Sequence, residues 1–203
     1  MEAHYTKLCQ EESDINEHLP TLREYASKCT KVCELGVRGV VSTVAIACGM
    51  SSGDLYLYDI TPDISLERIE EGCFSKGINI IDHFGQDDLA VEDYGDTYEM
   101  LFIDTAHNYP QCYEELCKFG SKTSKYILLH DTEIDGITSE CVRLGYEKKH
   151  YQMLVNQFNG KYTEEEFKVG LGSAIRKWLN ENPEWGIIKE YQNNNGLTIL
   201  AHR

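Results

Sequence analysis

Four residues have types and spacing that could do chemistry together. Asp104 ends the apolar run Tyr98-Glu99-Met100-Leu101-Phe102-Ile103, His107 follows three residues later, and His130-Asp131 ends the run Lys125-Tyr126-Ile127-Leu128-Leu129. Carboxylates at the ends of adjacent strands can hold a divalent cation through oxygen. Such a cation acts as a Lewis acid, orienting a hydroxyl and stabilising the alkoxide that forms from it. An imidazole near neutral pKa suits the task of taking the hydroxyl proton, which is the role expected of His107. His130 is a softer ligand than Mg²⁺ prefers and suits a transition metal better. Two quieter readings stay open: His130 and Asp131 as a metal-free hydrogen-bonded pair, and His107 as a residue that only orients the Asp104 loop.

These residues need a scaffold that brings strand ends to one edge. Five apolar segments read as strands, at 31–37, 54–60, 78–84, 98–104 and 125–131, and helical stretches lie between them. The fourth is nearly continuous in apolar residues, as in a strand buried on both faces. Alternation of this kind predicts a mostly parallel α/β sheet. Two last strands, at 185–191 and 197–202, flank Asn193-Asn194-Asn195-Gly196, a hairpin turn that adds an antiparallel strand. In such sheets ligands bind beyond the carboxyl ends of the strands. Glu34, Asp59, Asp104 and Asp131 each end an expected strand and so fall on that edge. The turn Glu34-Leu35-Gly36-Val37-Arg38-Gly39 lies between the first strand and a helix that opens near Ser42-Thr43. Its glycines let backbone approach a ligand, and the helix start offers free N–H groups. Asp59 is placed to accept from a ribose diol.

Further helices are expected near 64–71, 88–93, 109–119 and 170–181, with Ser13-Asp14 starting another that Pro20 kinks or splits. Residues 1–12 read as polar and loosely held. Residues 132–168 read as irregular, a length that suits an acceptor-binding or lid region.

The stretch Phe102-Ile103-Asp104-Thr105-Ala106-His107-Asn108-Tyr109, with Tyr113-Glu114-Glu115-Leu116 and Tyr126-Ile127-Leu128-Leu129-His130-Asp131, resembles the class I S-adenosylmethionine-dependent O-methyltransferases. More narrowly it is similar to the group of cephalosporin-hydroxylase-like proteins and macrolide sugar O-methyltransferases, methyltransferase family 24-like. The resemblance covers about residues 13–135, and Gly170-Leu171-Gly172-Ser173-Ala174-Ile175 and Asn195-Gly196-Leu197 also fit. It implies a Rossmann-like fold with a seven-stranded sheet and helices on both faces. It also implies one S-adenosylmethionine-binding domain over 1–203. By the same resemblance Glu34, Gly36, Arg38, Gly39, Ser42 and Thr43 would line the methionine and ribose part of the cofactor. Asp59 would hold the ribose hydroxyls, Gly85, Gln86 and Asp87 would flank the adenine, and Asp104 would touch both cofactor and metal. Asp104, His130 and Asp131 would bind Mg²⁺ or Mn²⁺, and His107 would be the base. Where those relatives often carry glutamate before the last aspartate, this chain has His130.

The expected activity is methyl transfer from S-adenosylmethionine to a hydroxyl, of a deoxyhexose such as rhamnose in a glycan or glycoside. A phenolic, catechol-type or natural-product acceptor is the alternative, and a non-catalytic methyltransferase-like binding subunit is a further one. A nicotinamide-dependent oxidoreductase is disfavoured, because Arg38 stands where a tight G-x-G-x-x-G turn needs glycine. The formal charge of −15, with no local basic patch, argues against nucleic acid as substrate. No apolar run is long enough to span a bilayer. Eight cysteines without C-x-x-C spacing read as reduced thiols in a cytoplasmic protein. Self-association and membership of a longer, multidomain glycan-modifying protein stay open.

Overall fold

A computed structural model of the chain describes residues 1–92 and 95–203. In chain order it runs α1 (Glu2–Gln10), α2 (Leu19–Ala26), β1 (Lys31–Leu35), α3 (Val41–Gly49), β2 (Gly53–Asp59), α4 (Glu70–Lys76) and β3 (Ile78–Phe84). It continues through β4 (Tyr98–Ile103), α5 (Tyr109–Lys118), β5 (Thr123–His130), α6 (Glu140–Arg143), α7 (Lys148–Gln157), α8 (Leu171–Glu181), β6 (Trp185–Tyr191) and β7 (Leu197–His202).

The seven strands form one sheet in the order β3-β2-β1-β4-β5-β7-β6. The first five in that order are parallel, and β7 runs antiparallel to both β5 and β6. Strand order reverses direction between β1 and β4, which opens a crevice at their carboxyl ends. This is the mostly parallel sheet with an antiparallel C-terminal strand expected from the sequence.

Side chains alternate across the sheet, so each strand feeds two cores. Val32, Leu55, Leu57, Met100, Phe102, Leu128 and Ile199 face a layer built from α2, α3 and α4. Cys33, Leu35, Tyr56, Leu101, Ile103, Ile127 and Leu200 face α5 and α8. Helix α8 turns Leu171, Ala174, Ile175 and Trp178 inward at helical spacing. Full burial of one such large apolar side chain contributes about 1.5–3 kcal/mol. A third, smaller cluster of Cys141, Tyr151, Tyr162 and Phe167 sits beneath α6 and α7.

Two lysines each fasten a group of backbone carbonyls. Lys76 donates to the carbonyls of Ala47, Cys48 and Met50 at the end of α3, at 3.1, 2.7 and 3.0 Å. Lys118 donates to the carbonyls of Asp88, Leu89 and Val91 in the segment after β3, at 2.6, 3.0 and 2.7 Å. Both use a flexible ammonium with three donors to cap a bend.

Several expectations shift. Residues 2–10, read as loosely held, form α1, which packs on α3. Pro20 does split its region: a short 3₁₀ turn over Asn16–His18 precedes α2, with Pro20 in the first turn, where its missing N–H costs nothing. The helix expected over 64–71 is displaced to Glu70–Lys76, closed by Gly77 in the left-handed region. Of the helix expected over 88–93, Asp93 lies outside the described residues and 88–90 form a turn. The region 132–168 is not irregular throughout, since it contains α6 and α7. Among the described residues no helix is long and apolar enough to cross a membrane.

Candidate active site

The carboxyl ends of β1, β2, β4 and β5 converge on one cavity of about 530 Å³. At one end of it lies the turn after β1. Gly36 has φ +88°, and a Cβ there would lie 2.1 Å from the Asp104 carbonyl oxygen, so only glycine lets β4 end against this turn. Asp59, ending β2, accepts from the N–H groups of Val37 at 2.8 Å, Arg38 at 2.7 Å and Thr61 at 2.7 Å. Burial works to raise its pKa, but these backbone donors outweigh it and hold the carboxyl below the usual range. Each carboxylate oxygen has two lone pairs, so Asp59 retains acceptor capacity toward the cavity it lines.

Glu34 lies beneath the turn, fully buried, and accepts from the Ser42 hydroxyl. Burial pushes its pKa up to about 8, against the opposing Ser42 and Thr43 hydroxyls. The acid at the end of β1 is therefore held largely neutral.

Asp104, His107, His130 and Asp131 come together at the other end. Asp104 leaves β4 with its N–H bonded to the Leu35 carbonyl at 2.9 Å. His107 Nε2 is 3.4 Å from Asp104 Oδ1. Its Nδ1 is 3.0 Å from Asp131 Oδ2, 3.3 Å from Asp135 Oδ2 and 3.5 Å from Glu140 Oε2. His130 Nδ1 is 3.3 Å from both Asp104 Oδ1 and Asp131 Oδ1. Asp131 itself is in the left-handed region at φ +56°, uncommon for a non-glycine residue and characteristic of functional loops.

Electrostatics follow from this crowding. Burial opposes charge on His107, but the surrounding Asp104, Asp131 and Asp135 carboxylates push its pKa up to about 12. Burial likewise works to raise Asp104, and His107 and His130 override it, holding the carboxyl well below the usual range. His130 is raised, with burial opposing and Asp104 prevailing. This cage of acids favours the imidazolium form of His107, which donates a proton rather than taking one. The base role expected of it requires a further positive charge among the carboxylates.

The donor set fits such a cation. Donor atoms of Asp104, His107 and Asp131 lie within 4.8 Å of one another, as do those of His107, Asp135 and Glu140. Both ring nitrogens of His107 and Oδ1 of Asp131 are buried without an aligned hydrogen bond. Buried polar atoms gathered around one centre without aligned partners fit a cation held there, which would require a deprotonated ring nitrogen on any histidine that binds it. One imidazole with carboxylates suits Mn²⁺ and related ions better than Mg²⁺. The group that falls within this reach holds His107 with Asp104 and Asp131, whereas His130, expected as the third ligand, stays outside it with Nδ1 at 3.3 Å from both carboxylates.

Of the residues expected to bind cofactor, Gly36, Arg38, Gly39, Ser42, Asp59, Asp87 and Asp104 line the cavity. Glu34, Thr43, Gly85 and Gln86 are not in its wall. Glu34 and Thr43 are fully buried behind it. Other wall residues escaped the sequence reading. Ser13, Asp14 and Ile15 reach it from the segment before α2, Asn108 and Gln111 from α5 and its cap, and Leu154, Gln157 and Phe158 from α7 and its end. Gln111 donates to Asp88 at 3.2 Å and to the fully buried Glu115 at 2.7 Å. Burial drives the pKa of Glu115 well up and that of Asp88 to about 6. Gln157 closes α7, which no local pattern announced, and its bond to Asp87 at 2.9 Å joins that helix to the loop after β3.

No family model matches the chain, and no curated protein matches it. Solved structures do. The O-methyltransferase TomG from Streptomyces achromogenes, in complex with SAM, superposes with a TM-score of 0.59 at 14% identity, covering 98% of this chain and 88% of that one. An O-methyltransferase from Bacillus cereus, in complex with SAH, gives 0.57 at 13%, covering 92% and 81%. The N-methyltransferase NodS from Bradyrhizobium japonicum gives 0.56 at 12%, covering 93% and 96%. The fold is that of the class I methyltransferases. Within that methyltransferase fold, the cavity occupies the strand-order reversal, with the glycine turn and the histidine–carboxylate cluster in one continuous wall.

Proposed function

We propose that the protein is an S-adenosylmethionine-dependent O-methyltransferase that methylates a sugar hydroxyl in a glycan or glycoside. One observation carries the reading. A single cavity joins an adenosyl-type half, at Gly36, Gly39 and Asp59, to a reaction half at Asp104, His107 and Asp131. The cofactor would lie across the glycine turn with its ribose at Asp59 and its sulfonium toward Asp104. The acceptor would enter beside Asn108, Glu140 and Phe158. Those side chains suit a polyol, with amide and carboxylate partners for hydroxyls and one aromatic ring face.

Asp104 and Asp131, with His130 beside them, would hold a divalent cation. Bound there, the cation supplies Lewis acidity toward a hydroxyl oxygen and offsets the carboxylate field that keeps His107 protonated. His107 can then hold the hydroxyl proton while Asp59, the turn and the β4 end fix the donor in line. Positioning of this kind supplies much of the acceleration of a bimolecular displacement.

The test is incubation with S-adenosylmethionine, Mn²⁺ or Mg²⁺ and a panel of glycosides and phenols, read by mass spectrometry. The expected result is gain of one methyl group on a glycoside. Methylation confined to phenols would replace the acceptor class, and cofactor binding without any transfer would favour a binding subunit.

A further inference from the structure

The turn between β6 and β7 does more than reverse the chain. Asn194, at φ +48°, sits at its tip and makes contacts in two directions. Its side-chain amide reaches the segment before α2: Nδ2 donates to the Ser13 carbonyl at 2.7 Å, and Oδ1 accepts from the Glu17 N–H at 3.0 Å. Its backbone carbonyl faces two buried imidazoles, His18 Nε2 at 3.1 Å and His130 Nε2 at 3.3 Å. A carbonyl only accepts, so both rings carry a proton on Nε2. His130 is thereby turned with Nδ1 toward Asp104 and Asp131. The two rings meet edge-on at 5.7 Å between centroids.

The segment that Asn194 holds is part of the cavity wall through Ser13, Asp14 and Ile15. Its other anchors are Asn193 of the same turn, whose carbonyl faces His18 Nε2 at 3.0 Å and whose side-chain amide donates to the Glu17 carboxylate, the Asp14–Arg38 pair at 3.2 Å at an exposed site, and the buried Ile15. An exposed pair of this kind adds little. We propose that Asn194 is a positioning residue that fastens residues 13–18 down as one wall of the cofactor cavity and ties that wall to His130 at the reaction centre. A cofactor that presses on Ser13 and Asp14 is then felt at His130 through one residue. The affinity part rests on the reading of the cavity as an S-adenosylmethionine site; the fastening part does not.

Asn194→Gly tests it without backbone strain, because glycine accepts the positive φ. Asn194→Asp keeps the acceptor for Glu17 and loses the donor to Ser13. In the free protein, hydrogen exchange at residues 13–18 should quicken in Asn194→Gly, with Asn194→Asp between it and the wild type. S-adenosylhomocysteine affinity should fall about tenfold, the size of one or two lost hydrogen bonds. In the enzyme assay the rise should appear in the cofactor KM far more than in kcat. Nitrogen-15 spectra of the wild type should place the His130 proton on Nε2. Unchanged exchange at residues 13–18, or a His130 proton on Nδ1 alone, overturns the proposal. A wild type that binds no S-adenosylhomocysteine removes the affinity part and the function read above, while the exchange comparison still decides whether Asn194 fastens the segment.

Discussion

His107 is the residue on which the proposed chemistry turns, because four carboxylates approach it and neither ring nitrogen has an aligned partner. His107→Ala should keep S-adenosylhomocysteine affinity within about twofold and lower kcat by about 10²–10⁴, the usual contribution of a positioned acid or base. Near wild-type turnover would dismiss it as the base. Glu34 offers a second test, through stability. Its carboxyl has an ordinary pKa when unfolded and about 8 when folded. Between those values the folded state binds more protons, so this group's contribution falls as pH rises through that window. Glu34→Gln should therefore flatten the decline in melting temperature from about pH 5 to pH 8, gaining most at the alkaline end. An equal gain at both pH values would contradict a neutral Glu34 in the fold.

Among the elements, the turn from β1 into α3 is the least tolerant of change. Gly36→Ala places a methyl against the Asp104 backbone, where neither strand end can retreat, and it also strains a positive φ. We expect a loss of about 2–4 kcal/mol in chemical denaturation, together with loss of cofactor binding. A stable variant with normal affinity would mean that β4 can end elsewhere. These central elements were legible in the sequence because β1, β4 and β5 are apolar runs that stop on an acid, and β6 and β7 flank an asparagine–glycine turn. The segment 132–168 was not legible. Helix α7 buries only Tyr151 within its span and has too narrow an apolar face to announce itself. Helix α1 buries nothing fully and is seated by long-range contacts to α3, to the 3₁₀ turn at Asn16–His18 and to Arg23 of α2, none of which a local pattern encodes. The Asn194 contacts to residues 13–18 span the length of the chain, and no local pattern encodes them. The cluster around His107 was half legible: Asp104 and Asp131 end strands, whereas Asp135 and Glu140 arrive from a loop and a four-residue helix.

At the scale of the molecule, charge governs which acceptors approach. The cavity wall carries Asp14, Asp59, Asp87, Asp88, Asp104, Asp131 and Glu140 against Arg38 and His107, on a chain of formal charge −15. Such a field repels anionic ligands and is screened by salt. A phosphorylated or carboxylated acceptor should show a KM that falls several-fold as ionic strength rises and the Debye length shrinks below about 10 Å. The KM of a neutral glycoside should barely move. The opposite ranking would place the acceptor entrance away from this acidic face.

The lysines that cap α3 and the segment after β3 carry one more consequence. An ammonium with all three hydrogens on carbonyls must break those bonds before it can lose a proton and react. Lys76 and Lys118 should therefore acylate slowly beside an exposed lysine such as Lys149, whose ammonium makes one surface ion pair. Because Lys118 braces the stretch that begins at Asp88 in the cavity wall, the rate at which an acylating reagent finds it would serve as a chemical clock for any loosening of that wall.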